Sequence, residues 1–192
     1  ILMYLYIYDS FLSEPKYASL LTAVERRLTD LDIKGKIVRL SILKNVKELV
    51  GDAIKAGYTT VVAVGDDQTF AKVINAVANF DVTLGIIPCT GNSKIARVLG
   101  MPPRELACDV IAARHVKRLD LGKINNYFFL NSAQIINAPV RLECGTYSIT
   151  PTTETNTIRI CNVASERNGH SDPTDGILEA IITPIENRWF AK

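Results

Sequence analysis

Histidine is scarce in this chain, with two residues in 192, His115 and His170. The four cysteines, Cys89, Cys108, Cys144 and Cys161, stand far apart and form no CxxC pair. Together these shortages argue against a structural zinc site and for a reducing, cytoplasmic setting. Charge of one sign is also lacking. The formal net charge is only +2, which argues against nucleic-acid binding as the main task, since that needs a strongly basic surface. No apolar run approaches the length that crosses a bilayer. The opening "ILMYLYIY" is too short for a signal peptide, has no basic stretch ahead of it and alternates like a strand. Beginning at Ile1 rather than Met is expected of a trimmed chain. Internal repeats and low-complexity tracts are absent.

What is present is an alternation of strands and helices over the first two thirds. Met3–Asp9 reads as a strand. A helix follows, with Tyr17, Leu20, Leu21, Val24, Leu28 and Leu31 on one face, Ser13 as its expected N-cap and Pro15 in its first turn. A second strand is expected over Gly35–Leu43. Asn45 and Glu48 then form a capping-box pair ahead of a helix that Gly57 closes. Tyr58–Val64 has almost no polar alternation after its threonines, as in a strand buried on both faces of a parallel sheet. The next helix carries Phe70, Val73, Ile74 and Val77. "TLGIIPCT" is a fourth apolar strand, and two short helices follow it. Such repeated β-α units predict an open parallel sheet flanked by helices.

Near Arg114 the pattern changes to short strand-like runs between turn residues. Strands are expected over Val116–Leu121, Tyr127–Ile135, Val140–Ile149, Thr157–Val163 and Ile177–Ile182, forming a smaller antiparallel β part.

An open α/β sheet binds ligands beyond the carboxyl ends of its strands. Two loops fall there: "GDDQT" after the third strand and "PCTGNSK" after the fourth. In the second, Gly91 permits an unusual backbone conformation and Asn92 and Ser93 suit a helix N-cap. Lys94 and Arg97, one turn in, favour an anion, although "TGNS" is equally a plain helix cap. Cys89 lies beside this loop and, with no histidine near it in sequence, reads as a small filler. Asp172 and Asp175 sit in "SDPTDG", which is also a good turn sequence. The basic cluster Arg114, His115, Lys117 and Arg118 reads as a solvated face or a weak contact to anionic lipid.

The ordered pair "VGDDQT" and "LGIIPCTGNSKIARVLGMP" resembles the diacylglycerol kinase catalytic family, whose hallmarks are a GGDGT loop and a later GIIPxGTxNxxAR segment. "KRLDLGKINNYFFLNSAQI" and "DPTDGILEAIITP" extend the resemblance over most of Met3 to Ile182. It implies an α/β nucleotide-binding domain over 1–118 and a shortened β-rich domain over 119–192. The implied activity is ATP- and Mg²⁺-dependent phosphorylation of the hydroxyl of diacylglycerol or a related lipid, by a cytoplasmic protein peripheral at the membrane surface. Homodimers occur in the family and are implied by analogy. The resemblance assigns the nucleotide phosphates to Gly65, Asp66, Gln68 and Thr69, with Thr90, Gly91 and Asn92 facing them. Lys94 joins them on its position in the helix. Asp67 would act through Mg²⁺ or on the acceptor, and Asp175 would activate the acceptor hydroxyl, with Asp172 completing the metal network.

Departures from the family pattern stand beside the matches. Asp66 and Gln68 replace two glycines, Lys72 replaces a common Glu, and "PCTGN" is one residue short. "QIINA" stands where a Gly-hydrophobic-Asp stretch belongs, and no DGE motif is present. Glycines let a loop reach φ > 0, so Asp66 and Gln68 are expected to carry a conformational cost. Adjacent carboxylates also repel a triphosphate unless a cation lies between them. The alternative reading is therefore a family member that keeps the fold, and nucleotide or lipid binding, as a sensor or scaffold without catalysis. A kinase for a soluble acceptor is a third.

Overall fold

The structure is a computed structural model that describes residues 2–41, 45–136, 141–150, 156–163 and 172–184. The chain divides into two compact units, Ile1–Arg118 and Leu119–Lys192. His170, Val140 and the end of the expected second strand lie outside the described residues.

The first unit is built on a parallel sheet of four strands: β1 (Tyr4–Tyr8), β2 (Lys36–Arg39), β3 (Thr60–Gly65) and β4 (Thr83–Pro88). Their order is β2-β1-β3-β4. Every residue of β1 and β3 is buried, which is why these strands show no polar alternation. Edge strand β2 is mostly exposed and carries Lys36 and Arg39, charges that discourage pairing with another chain. Tyr4, Tyr6 and Tyr8 face one side of the sheet. There they join Leu21, Val24 and Leu28 of α1 (Ala18–Asp30) and Cys108 and Ile111 of α5 (Leu106–Ala113) in one core cluster. Helices α2 (Val46–Lys55) and α3 (Asp67–Val77) pack together, and α3 packs on β3. Phe70 and Val73 are fully buried there. Arg27 of α1 holds Asp109 of α5 by two hydrogen bonds, Nε to Oδ2 at 3.2 Å and a second from Nη2.

Helix α1 starts later than expected. Ser13 does not cap it, because Ser10–Ser13 and Pro15–Tyr17 form two 3-10 turns first. Glu14 is extended, with φ −68° and ψ 141°, as the residue before proline prefers. The helix therefore starts only after Tyr17. Strand β2 is shorter than expected, ending at Arg39, with Leu40 and Ser41 outside it, whereas the ends of α2 are as expected. Asn45 accepts from Lys47 N and bonds Glu48, and Gly57 ends α2 at φ 94°.

The second unit is antiparallel. Its largest sheet has the order β11-β10-β7, from β7 (Ser132–Ile136), β10 (Asn156–Cys161) and β11 (Glu179–Pro184). Two hairpins accompany it: β5 (Gly122–Ile124) with β6 (Tyr127–Phe129), and β8 (Leu142–Cys144) with β9 (Tyr147–Ile149). Val116–Leu121 is not a strand, since Asp120 N donates to Pro173 O instead of to a ladder partner. Tyr127–Ile135 is broken at Leu130–Asn131. Buried Asn162 fastens the break, donating its amide to Leu130 O at 3.0 Å and its backbone N–H to Asn131 O at 2.8 Å. Among the described residues no helix is long and apolar enough to cross a membrane.

Candidate functional site

In the order β2-β1-β3-β4 the chain moves one way from β1 and the other way through β3 and β4. The strand order therefore reverses between β1 and β3, and an open sheet of this kind has its crevice at the carboxyl ends there. Gly65 and Pro88 end β3 and β4, and Asp9 directly follows β1. Asp9 N donates to Val64 O at 3.0 Å and Cys89 N to Gly65 O at 2.8 Å, so the ladder sets the loops side by side.

The loop after β3 is short because α3 begins at once. Asp66 is its N-cap, and one carboxylate oxygen accepts from Gln68 N at 3.0 Å and Thr69 N at 3.1 Å. Its backbone is extended, at φ −117° and ψ −175°. The expected cost of replacing the family glycine is thus absent: no residue from 65 to 69 has a left-handed φ, and Gln68 is simply helical. Nor does Gly91 adopt a positive φ.

Asp67 leaves its own helix and reaches the facing loop. Its carboxylate accepts from Ser93 Oγ, from Lys94 N at 2.8 Å and from Ile95 N at 3.4 Å. It thereby caps α4 (Lys94–Val98), whose own N-cap Ser93 accepts from Ala96 N at 2.9 Å. Negative charge is favourable at these free N–H groups. The same carboxylate ties the two candidate loops together. Thr90 is half-buried, and Gly91, Asn92, Lys94 and Gln68 are exposed. A side chain at Gly91 would meet nothing within 4 Å, so packing does not require glycine there.

Thr69 is fully buried. Its hydroxyl donates to Asp9, with Asp66 Oδ1 also 3.2 Å away. Burial raises the Asp9 pKa, but the hydrogen bonds from Thr69, Phe11 N and Ser10, with the nearby Lys72 charge, outweigh it and hold the carboxyl below its ordinary range. Cys89 is buried, which pushes its thiol up to about 12, as befits a packing residue.

In the second unit Asp172 and Asp175 share one exposed turn. Asp172 accepts from Thr174 N and Oγ1 at 2.9 and 2.6 Å, and Asp175 from Ile177 N at 2.8 Å. Asp120, which the sequence reading passed over, accepts from Gly176 N at 2.7 Å and brings β5's approach to this turn. Asp9 was missed as well. Its only signal is that it is the first acid after an apolar strand, at the end where the sheet reverses. Among the described residues no three acidic, histidine or cysteine side chains converge as a cage for a metal ion. The donors suit a cation that arrives on a phosphate. Mg²⁺ takes one or two carboxylates plus phosphate oxygens, and Asp66 and Asp67 offer a neighbouring pair.

The family model of the diacylglycerol kinase catalytic domain matches residues 4–124. A diacylglycerol kinase of Staphylococcus saprophyticus is 34% identical over 119 residues, 57% of this chain and 39% of that protein. Its namesake in Staphylococcus haemolyticus is 37% identical over 119 residues, 57% of this chain and 36% of that protein. The chain thus spans less than two fifths of the length of these curated relatives. A crystal structure of a Bacillus anthracis diacylglycerol kinase superposes with a TM-score of 0.77 at 19% identity, covering 95% of this chain and 73% of the other. At that identity the likeness is one of fold.

Proposed function

The chain belongs to the diacylglycerol kinase catalytic-domain family, and from that premise we propose that it transfers the terminal phosphoryl group of ATP to a lipid hydroxyl at a membrane surface. The observation that carries the reading is the meeting of "GDDQT" and "PCTGNSK" beyond the carboxyl ends of β3 and β4, next to the reversal point of the sheet, joined by Asp67. Phosphoryl transfer asks a protein mainly for positioning and charge neutralisation, and two facing loops held at fixed separation supply the first.

Each side chain has a task in this proposal. Gly65 lets the loop pass close against Thr69 and Asp9 and lines the phosphates with its backbone, while Gln68, Thr90, Gly91 and Asn92 present polar or open edges to the nucleotide. Thr69 holds the loop from beneath, and the Lys94 ammonium takes phosphate charge. Asp67, flanked by Asp66, receives the cation that comes with ATP. That cation, when bound, neutralises phosphate charge. In the second unit Asp175, with Asp172 beside it, takes the proton of the acceptor hydroxyl. Diacylglycerol is the first acceptor to try, because it is the substrate named for the relatives. Calorimetry of ATP binding with Mg²⁺ tests the nucleotide site: binding that weakens at least about tenfold in Asp67→Ala is expected, and no binding to the wild type would sink the reading.

One observation favours a second reading, a non-catalytic member that keeps nucleotide binding. Asp66 and Asp67 place this chain's own carboxylates on the N-termini of α3 and α4, positions otherwise suited to phosphate oxygens. Nucleotide binding without phosphorylated lipid product would favour it over the kinase.

A further inference from the structure

We propose that Asp9 is a positioning residue of the nucleotide loop, acting through the buried hydroxyl of Thr69 to set the first turn of α3 and hence the place of Asp67. The inference rests on the nucleotide-site reading above and assigns a role to a residue outside both loops.

Four observations converge on Asp9. It directly follows β1 at the point where strand order reverses, hydrogen-bonded through its N–H to Val64 O, next to Gly65. Its carboxylate accepts from Thr69 Oγ1, from Phe11 N at 3.1 Å and from Ser10 Oγ at 3.2 Å. Thr69 has no exposure to solvent, so its hydroxyl proton turns to one of two carboxylates, Asp9 or Asp66, and Asp9 is the nearer acceptor. Finally, the three residues interlock. A Cβ on Gly65 would lie 2.7 Å from Thr69 Oγ1 and 3.2 Å from Asp9 Cβ. A side chain at Gly65 would therefore push into the Asp9–Thr69 contact.

The consequence runs outward from Asp9. Thr69 N and Gln68 N bond Asp66, so fixing Thr69 fixes the first turn of α3. That turn aims Asp67 at Ser93, Lys94 and Ile95. Asp9 also brings a second carboxylate to the Thr69 hydroxyl beside that of Asp66. Against the raising effect of burial, the hydrogen bonds from Thr69, Phe11 N and Ser10, with the neighbouring Lys72 charge, hold its carboxyl below the ordinary range. Losing the Asp9 carboxylate frees the loop to rotate, and the two candidate loops lose their common register.

The test uses the full chain as wild type, Asp9→Ala, Asp9→Asn and Thr69→Val. Hydrogen exchange is followed without ligand, and ATP affinity is measured with Mg²⁺ by calorimetry. In Asp9→Ala the amides of Gln68 and Thr69 should exchange about tenfold faster, and ATP affinity should fall about tenfold, as for a lost hydrogen bond to a charged group. Thr69→Val should reproduce both effects. Asp9→Asn, whose side-chain oxygen still accepts from Thr69, should recover most of each. Exchange and affinity unchanged in Asp9→Ala would overturn the proposal. So would faster exchange spread evenly over β1, β3 and α3, which marks a merely structural role. Absence of ATP binding in the wild type would remove the nucleotide reading instead, while exchange at Gln68 and Thr69 still decides whether Asp9 holds the loop.

Discussion

Asp9 ties the fold to pH. Its carboxyl is held low in the folded protein by Thr69, Phe11 N, Ser10 and Lys72, against the opposing effect of burial, whereas an unfolded Asp titrates near about 3.9. A depressed folded pKa contributes stability above the unfolded pKa and loses it as pH falls through the folded one. Melting temperature should therefore drop on acidification below about pH 4, and the drop should be shallower in Asp9→Asn. Equal acid slopes in the two proteins would contradict the assignment. The thiols make a second test at this scale. Burial pushes Cys89 and Cys108 up to about 12, so at pH 8 a thiol reagent should leave both unmodified until denaturant is added. Peptide mapping that finds either labelled in the native protein would refute their burial. None of this chemistry was legible along the chain, because Asp9 and Thr69 are 60 positions apart and no periodicity or spacing announces a tertiary contact. What could be read was the type of Cys89: an apolar neighbourhood without histidine pointed to packing.

The elements themselves were easier to read, and the reason is burial. Where a helix or strand buries one clear face, local pattern and tertiary environment agree, as in α3, whose Phe70, Val73, Ile74 and Val77 were all expected inside and are. Phe70→Ala should cost about 3–5 kcal/mol of unfolding free energy, as for a fully buried aromatic, measurable by urea titration. A cost below about 1 kcal/mol would mean that α3 is not anchored by this residue. Reading failed where local chemistry alone set the boundary. Ser13 has the right side chain for a cap, but Pro15 and the extended Glu14 delay α1 past it. In the second unit the apolar run Tyr127–Ile135 looked continuous. The break at Leu130–Asn131 is held by Asn162, a residue far along the chain whose amide donates to Leu130 O and Asp120 O. The phosphate-like loop shows the same lesson from the other side. Asp66 appeared costly because glycine loops suggest a left-handed backbone, yet its φ of −117° is open to any residue.

At the scale of the whole molecule, an open parallel sheet with its crevice at the β1/β3 reversal and an antiparallel β unit follow from the alternation of pattern along the chain, and the family match over residues 4–124 covers the sheet and its loops. What the whole protein does with that crevice depends on charge as much as on shape. Asp66 and Asp67 already satisfy the helix ends that a phosphate would meet, so the proposed nucleotide binding calls for a cation between the loop and the phosphates. Binding of ATP is accordingly expected to weaken strongly when Mg²⁺ is chelated, more than in Asp66→Gly, which calorimetry with and without chelator would measure. The central claim is catalytic, and the most direct measurement is transfer of labelled phosphate from ATP to diacylglycerol in vesicles with Mg²⁺, beside Asp67→Ala and Asp67→Asn. Labelled lipid from the wild type, reduced at least about a hundredfold in both variants, is the predicted result. No labelled lipid from the wild type while ATP still binds, or equal product from all three proteins, would contradict it.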